Sequence, residues 1–167
     1  KAYENNAARL HIAADNPMAL SEEDPAKIGR AAKANAAAYQ PALKKIAGFE
    51  INWSIAAYPG RAWAQAVFPD LSADAAQAKL AEAIFAASRV DQPDPVAAWA
   101  AHNAELAARR DWLNARDFAA LHFKSDGTDL TVGLADGHNW MGGASTAKNG
   151  IACNPNIPTE EVFSTPH

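Results

Sequence analysis

The sequence predicts an α/β protein in which helices pack on a short sheet and a β-rich segment follows. Three observations carry that prediction. Asp24-Pro25 and Asp94-Pro95 each open an alanine-rich stretch of helical periodicity. Between them, Ile51, Trp53 and Ile55 alternate as in a strand. After Phe118 the helix formers give way to strand formers and glycine turns. The chain is therefore divided into an α/β part, residues 1–117, and a β-rich segment, residues 118–167, expected to lead into a further domain.

From the start of the chain, Ala7 to Ala14 is a short apolar run with β-compatible residues at its centre, and a buried strand is expected there. His11 lies within it and is read as an ordinary core or surface histidine. Asp24 supplies a cap oxygen, and Pro25 at the first helical position forfeits no hydrogen bond. The helix is expected to run to about Tyr39, to be broken or kinked by Pro41, and to stop at Gly48. Glu50 to Ala57 gives the clearest strand of the first half. Trp63, Ala66 and Val67 fit a short helix ended by Pro69. Ser72 caps the next one, where Ala76, Leu80, Ala83, Ile84 and Ala87 form a stripe. After Asp94-Pro95, the residues Val96, Trp99, Asn103, Leu106, Arg110 and Leu113 follow helical spacing, with Asn103 and Arg110 as polar interruptions. These stripes are read as packing surfaces. Leu121 and Phe123, then Leu130, Val132 and Leu134, alternate on either side of Asp126-Gly127 and predict a hairpin. Asn154-Pro155-Asn156-Ile157-Pro158 is extended and delivers Thr159-Glu160-Glu161 to a fixed place before a strand at Val162-Phe163.

Composition limits the function. The 167 residues include 15 basic and 19 acidic ones, for a net charge of −4. No basic stripe of the kind nucleic-acid binders use is present, so no nucleic-acid partner is expected. No apolar stretch approaches the ~20 residues of a bilayer span, so no membrane partner is expected either. A soluble chain follows. Much of the apolar content is alanine, which leaves the five Trp and six Phe as the expected core anchors. The single cysteine, Cys153, rules out an internal disulfide and a four-cysteine zinc site, and favours a reducing compartment. Asn52-Trp53-Ser54 matches a glycosylation acceptor but lies in a strand-like run, and is read as a chance match. The absence of an initiator Met, and a strand barely begun at Val162, make both ends read as cut.

Phosphate-loop, dinucleotide, nucleophile-elbow and His-Glu-x-x-His signatures are missing. Gly142 to Lys148 lacks phosphate-loop spacing and is read as a glycine turn. His102, His122 and His138 match no ligand spacing. Cys153 has no activating base beside it and is read as an inert thiol. The adjacent carboxylates Glu160 and Glu161 are the most suggestive pair. On an extended backbone they point to opposite faces, so one of them at most aims into a given site. A solvated acidic pair is the competing reading.

Asn52-Trp53-Ser54-Ile55, Val67-Phe68-Pro69, Arg89-Val90-Asp91, Asp94 to Trp99, Ala120 to Phe123, Gly127 to Leu134, His138 to Gly143 and Cys153 to Phe163 resemble, in register, the peptidase family M29 of metal-dependent aminopeptidases (the aminopeptidase T, AmpS and PepS type). The resemblance spans nearly the whole chain, more loosely before residue 48. It implies a dimeric, cytoplasmic exopeptidase that removes N-terminal amino acids from peptides with two divalent metal ions (Zn, Co, Mn or Mg), in a chain more than twice this length. It also implies that Glu161, the second glutamate of Thr159-Glu160-Glu161-Val162-Phe163, is a metal ligand. The other ligands, a glutamate, two histidines and an aspartate with a tyrosine alongside, then lie beyond His167. None of His102, His122 and His138 inherits a ligand role, and Glu160 faces solvent or an outer layer. Residues 1–167 alone are expected to bind no metal and to be inactive. The competing expectation is a non-catalytic structural or dimerisation module built on the same scaffold.

Overall fold

The computed structural model describes residues 2–167. A 3-10 turn over Ala2–Asn5 leads into β1 (Arg9–Ala13), α1 (Pro25–Ala47), β2 (Trp53–Ala57), α2 (Arg61–Val67), α3 (Ala73–Ala87) and α4 (Pro95–Asn114). A hairpin of β3 (Ala120–Ser125) and β4 (Thr128–Gly133) follows. The remaining strands have two residues each: β5 (Met141–Gly142), β6 (Ser145–Thr146), β7 (Ala152–Cys153), β8 (Asn156–Ile157) and β9 (Val162–Phe163). The predicted class, mixed α/β, is the one observed. The chain forms two compact units. One runs to Pro93 and is completed by Ser145–Pro158; the other comprises Asp94–Ala144 and Thr159–His167.

In the first unit, β1, β2 and β8 form a parallel sheet with β2 at its centre. A central parallel strand is covered on both faces, and all five residues of β2 are half-buried. β1 forms where expected but is not buried: Leu10 is 66% and Ile12 50% exposed. Among the described residues it is an edge strand paired on one side with β2, and periodicity reports apolarity without reporting what covers it. The helices start at the signalled caps. Asp24 Oδ1 accepts from Ala26 N at 2.9 Å, and Ser72 Oγ from Ala75 N at 3.3 Å. Pro41 does not break α1, which runs unbroken to Ala47. The ring removes the N–H that would reach the Ala37 carbonyl, but both residues are exposed, so that acceptor is not sealed in a dry core. Ala64, Ala76 and Leu80 form the buried contact between α2 and α3, flanked by Trp63, Phe68 and Ile84. Two of the expected aromatic anchors therefore sit at this core.

Asn52 lies in a network of amides: Asn149 Nδ2 donates to Asn52 Oδ1 at 3.0 Å and to Asn6 Oδ1 at 2.8 Å. The Ser54 hydroxyl donates to the Asn154 carbonyl at 2.8 Å, tying β2 to the segment that precedes β8. These bonds give the Asn52-Trp53-Ser54 string a structural role. Cys153 is half-buried in β7, opposite Ser145 of β6.

In the second unit, β3 and β4 pair antiparallel from Ala120↔Gly133 to Ser125↔Thr128. Gly127, at φ +78, takes the left-handed position of the turn. β5 pairs with β9, Gly142 opposite Val162. Helix α4 is capped by Asp94, whose carboxylate accepts from Ala97 N at 3.0 Å. Its buried residues are His102 and Leu106. Val96, expected on the packing stripe, is 81% exposed. It lies in the first turn, before the residues that meet neighbouring strands and loops. The change of character expected at residue 118 is a change of element, since α4 ends at Asn114 and β3 starts at Ala120. The compact units are cut elsewhere because α4 packs with β5 and β9, which come later in the chain.

Candidate metal-ligating loop

Thr159, Glu160 and Glu161 enter β9 in the second unit, with Thr159 buried and both glutamates exposed. The Glu161 carboxylate folds back on its own loop. Glu160 N–H donates to Glu161 Oε2 at 2.9 Å. That bond, with contributions from its own N–H and the Thr159 hydroxyl, holds the Glu161 carboxyl below the ordinary glutamate range; partial burial and the nearby Glu160 charge oppose the shift without reversing it. Glu161 is thus ionised and aimed by backbone donors.

Glu160 is held differently. Its carboxylate lies 3.6 Å from His102 Nε2, while that nitrogen makes its short contact, 2.7 Å, with the Thr159 carbonyl oxygen. The two neighbouring carboxylates therefore have different partners, in keeping with the divergence that an extended backbone imposes. Behind the loop, β5 approaches closely. A Cβ on Gly142 would stand 2.7 Å from the Glu161 carbonyl oxygen and 2.8 Å from Val162 Cγ1. Only glycine lets β5 and β9 meet at this distance.

Two asparagines complete the frame, and sequence reasoning named the first only as a polar interruption. Asn103 Oδ1 accepts from Ala144 N at 3.0 Å. Asn114 Oδ1 accepts from Trp140 N at 2.8 Å, and its Nδ2 donates to the Trp140 carbonyl at 3.1 Å. Helix α4 thus anchors the loop around β5 with side-chain amides and the entry to β9 with His102. The signal for His102 was available: it lies one turn before Leu106 and three residues after Trp99, on the packing side of the helix.

The other candidates are separate. His122 is exposed and bonded through Nε2 to Asp129 Oδ1 at 2.7 Å. His138 is half-buried, with Nδ1 on the Ala135 carbonyl at 2.9 Å and its ring edge-on to Trp140. His11 is exposed on the edge strand. Among the described residues, no three His, Cys, Asp or Glu side chains come together as a metal site. An ionised, oriented carboxylate suits a divalent cation as one anionic oxygen donor. Glu161 fits a metal in that capacity, and a complete centre needs further donors. Among the described residues, no helix is long and apolar enough to cross a membrane.

Fold and loop together define a mixed α/β scaffold that presents one ionised glutamate held by backbone donors. The chain belongs to the thermophilic metalloprotease (M29) family, whose model matches residues 1–167. It is 54% identical over 167 residues to Aminopeptidase T of Thermus thermophilus, covering all of this chain and 41% of that protein. Against Aminopeptidase 2 of Geobacillus stearothermophilus it is 46% identical over 164 residues, covering 98% of this chain and 40% of the relative. Among solved structures, wild-type AmpT from Thermus thermophilus superposes with a TM-score of 0.91 at 52% identity, over 99% of this chain and 40% of that one. The chain spans about two fifths of the length of these relatives.

Proposed function

We propose that this chain is the part of a metal-dependent aminopeptidase that supplies one metal-ligating carboxylate, Glu161, together with the frame that aims it. The observation that carries the reading is the Glu161 carboxylate itself, ionised and oriented by the Glu160 N–H at 2.9 Å within a chain of the M29 family. The substrate class is peptides with a free N-terminus, by likeness to relatives named as aminopeptidases. Two divalent cations, Zn, Co, Mn or Mg, would be held by Glu161 and by donors elsewhere in the whole protein. When bound, such cations acidify a water, polarise the scissile carbonyl and anchor the substrate amine. The chain's own residues keep the ligand oxygen charged, fix its direction and hold β5 against β9. Residues 1–167 alone are inactive in this reading, and the whole protein is a cytoplasmic homodimer. The β-rich part of the chain leads into the catalytic domain.

Hydrolysis of a leucine chromogenic anilide tests the proposal. Residues 1–167 should show no turnover with or without Co²⁺ or Zn²⁺. In the whole protein that contains them, Glu161→Gln should lower kcat/KM by at least about 100-fold, since it removes a ligand and its charge. Metal-dependent turnover by residues 1–167, or a fully active Glu161→Gln whole protein, would overturn the assignment.

A further inference from the structure

His102 is 9% exposed on α4 and has its Nε2 2.7 Å from the Thr159 carbonyl oxygen. A carbonyl oxygen only accepts, so Nε2 carries the proton in this contact. The Trp99 ring meets the imidazole edge-on, with centroids 5.7 Å apart and planes at 79°, which limits rotation of the ring. The carbonyl that His102 holds belongs to the same peptide group as the Glu160 N–H, and that N–H donates to Glu161 Oε2 at 2.9 Å. A peptide group is planar, and in the trans form its C=O and N–H point in opposite directions. Fixing the carbonyl therefore fixes the line along which the N–H points. Donation to the oxygen also polarises the N–H and strengthens its own bond, as in any hydrogen-bonded chain.

We propose that His102 is a positioning residue for the metal-ligating carboxylate, acting through the Thr159–Glu160 peptide to hold Glu161 in its binding orientation. The inference rests on the reading of Glu161 as a ligand. It assigns a function to a buried histidine whose Nε2 is engaged by the Thr159 carbonyl oxygen, and it explains why a polar ring occupies the packing face of α4 beside Leu106. A helix and a loop 57 residues apart in sequence are joined at one peptide. The ligand's aim is set from the helix.

The test uses the whole protein, with Co²⁺ affinity measured by competition against a chromophoric chelator and the metal-free thermal midpoint measured alongside. Glu161→Gln comes first and should weaken Co²⁺ binding; if it does not, the ligand reading fails and this inference with it. His102→Leu removes the donor and should weaken binding by about 10- to 100-fold, the usual effect of losing a group that orients a ligand. His102→Gln places an amide N–H near the position of Nε2 and should restore affinity to near the wild-type value. His102→Asn carries the same amide on a shorter stem that cannot reach Thr159, and should bind as weakly as His102→Leu. If His102→Leu does not fold, the Gln and Asn variants decide. Equal affinities for those two, or affinity losses that merely follow the thermal midpoints, would reduce His102 to a packing residue and overturn the proposal.

Discussion

At the scale of single residues, the loop depends on groups that do little alone. Gly142 shows this most directly, because the nearest atom to an added Cβ is backbone, the Glu161 carbonyl oxygen at 2.7 Å. Backbone cannot swing aside as a long side chain does, so β5 and β9 must separate. Gly142→Ala should destabilise the second unit by about 1–3 kcal/mol, the ordinary cost of overfilling a packed site. Urea denaturation followed by tryptophan fluorescence would register the loss, since Trp140 is buried two residues from the substitution. Glu161 sets a pH dependence of definite sign. Its folded-state pKa is lowered, chiefly by the Glu160 N–H. The charged form therefore contributes stability above the unfolded pKa, and the contribution is lost as pH falls through the folded value. For the metal-free protein, the stability gap between wild type and Glu161→Gln should be present near neutrality and close below roughly pH 4, where an ordinary glutamate protonates. Denaturation midpoints at the two pH values check it. Because the carboxylate is exposed, the gap should stay under about 1 kcal/mol.

At the scale of elements, what is local in sequence is legible and what is not local is hidden. The starts of α1, α3 and α4 follow from Asp24, Ser72 and Asp94, whose side chains accept from amides two or three residues ahead. The hairpin follows from two alternating runs around Asp126-Gly127. By contrast, β5 to β8 have two residues each, too few for periodicity to register, and β5 and β8 find partners far along the chain. Of the two-residue strands, only β9 at Val162-Phe163 is expected from the sequence. The bond from Ser54 to Asn154, which ties β2 to the segment preceding β8, spans 100 residues. Pro41 and Val96 mislead for a related reason: propensity and spacing do not say which side of a helix faces water. The caps allow a separate check on α4. Asp94→Ala removes the acceptor for Ala97 N and should cost about 1 kcal/mol, with Asp94→Ser close to wild type. The comparison of denaturation midpoints separates capping from charge, since serine caps without one.

At the scale of the whole molecule, each compact unit is assembled from separate stretches of sequence. Thr159–His167 rejoins Asp94–Ala144, and that return brings Glu161 to the helix bearing His102 and Asn103. The identity of the candidate carboxylate could be read from the resemblance, and the divergence of Glu160 and Glu161 from strand geometry. The bracing of the carboxylate could not, because nothing in a linear sequence places residue 102 under residue 159. The same division of labour yields a prediction about metal and stability. A ligand that binds only the folded state stabilises it by RT ln(1 + [L]/Kd), about 2.7 kcal/mol at a hundred times Kd. If Glu161 is one ligand of a centre completed elsewhere in the whole protein, Co²⁺ should raise the thermal midpoint of that protein, and a chelator should reverse the shift. Glu161→Gln should remove most of the increase while leaving the metal-free midpoint within a few degrees of wild type. Residues 1–167 alone should show no comparable increase at the same Co²⁺ concentration, because one carboxylate binds a cation too weakly to move the folding equilibrium. A full-sized Co²⁺ shift in residues 1–167 would mean that a working set of donors lies within them, and the remaining ligands would then have to be sought among their own histidines and carboxylates.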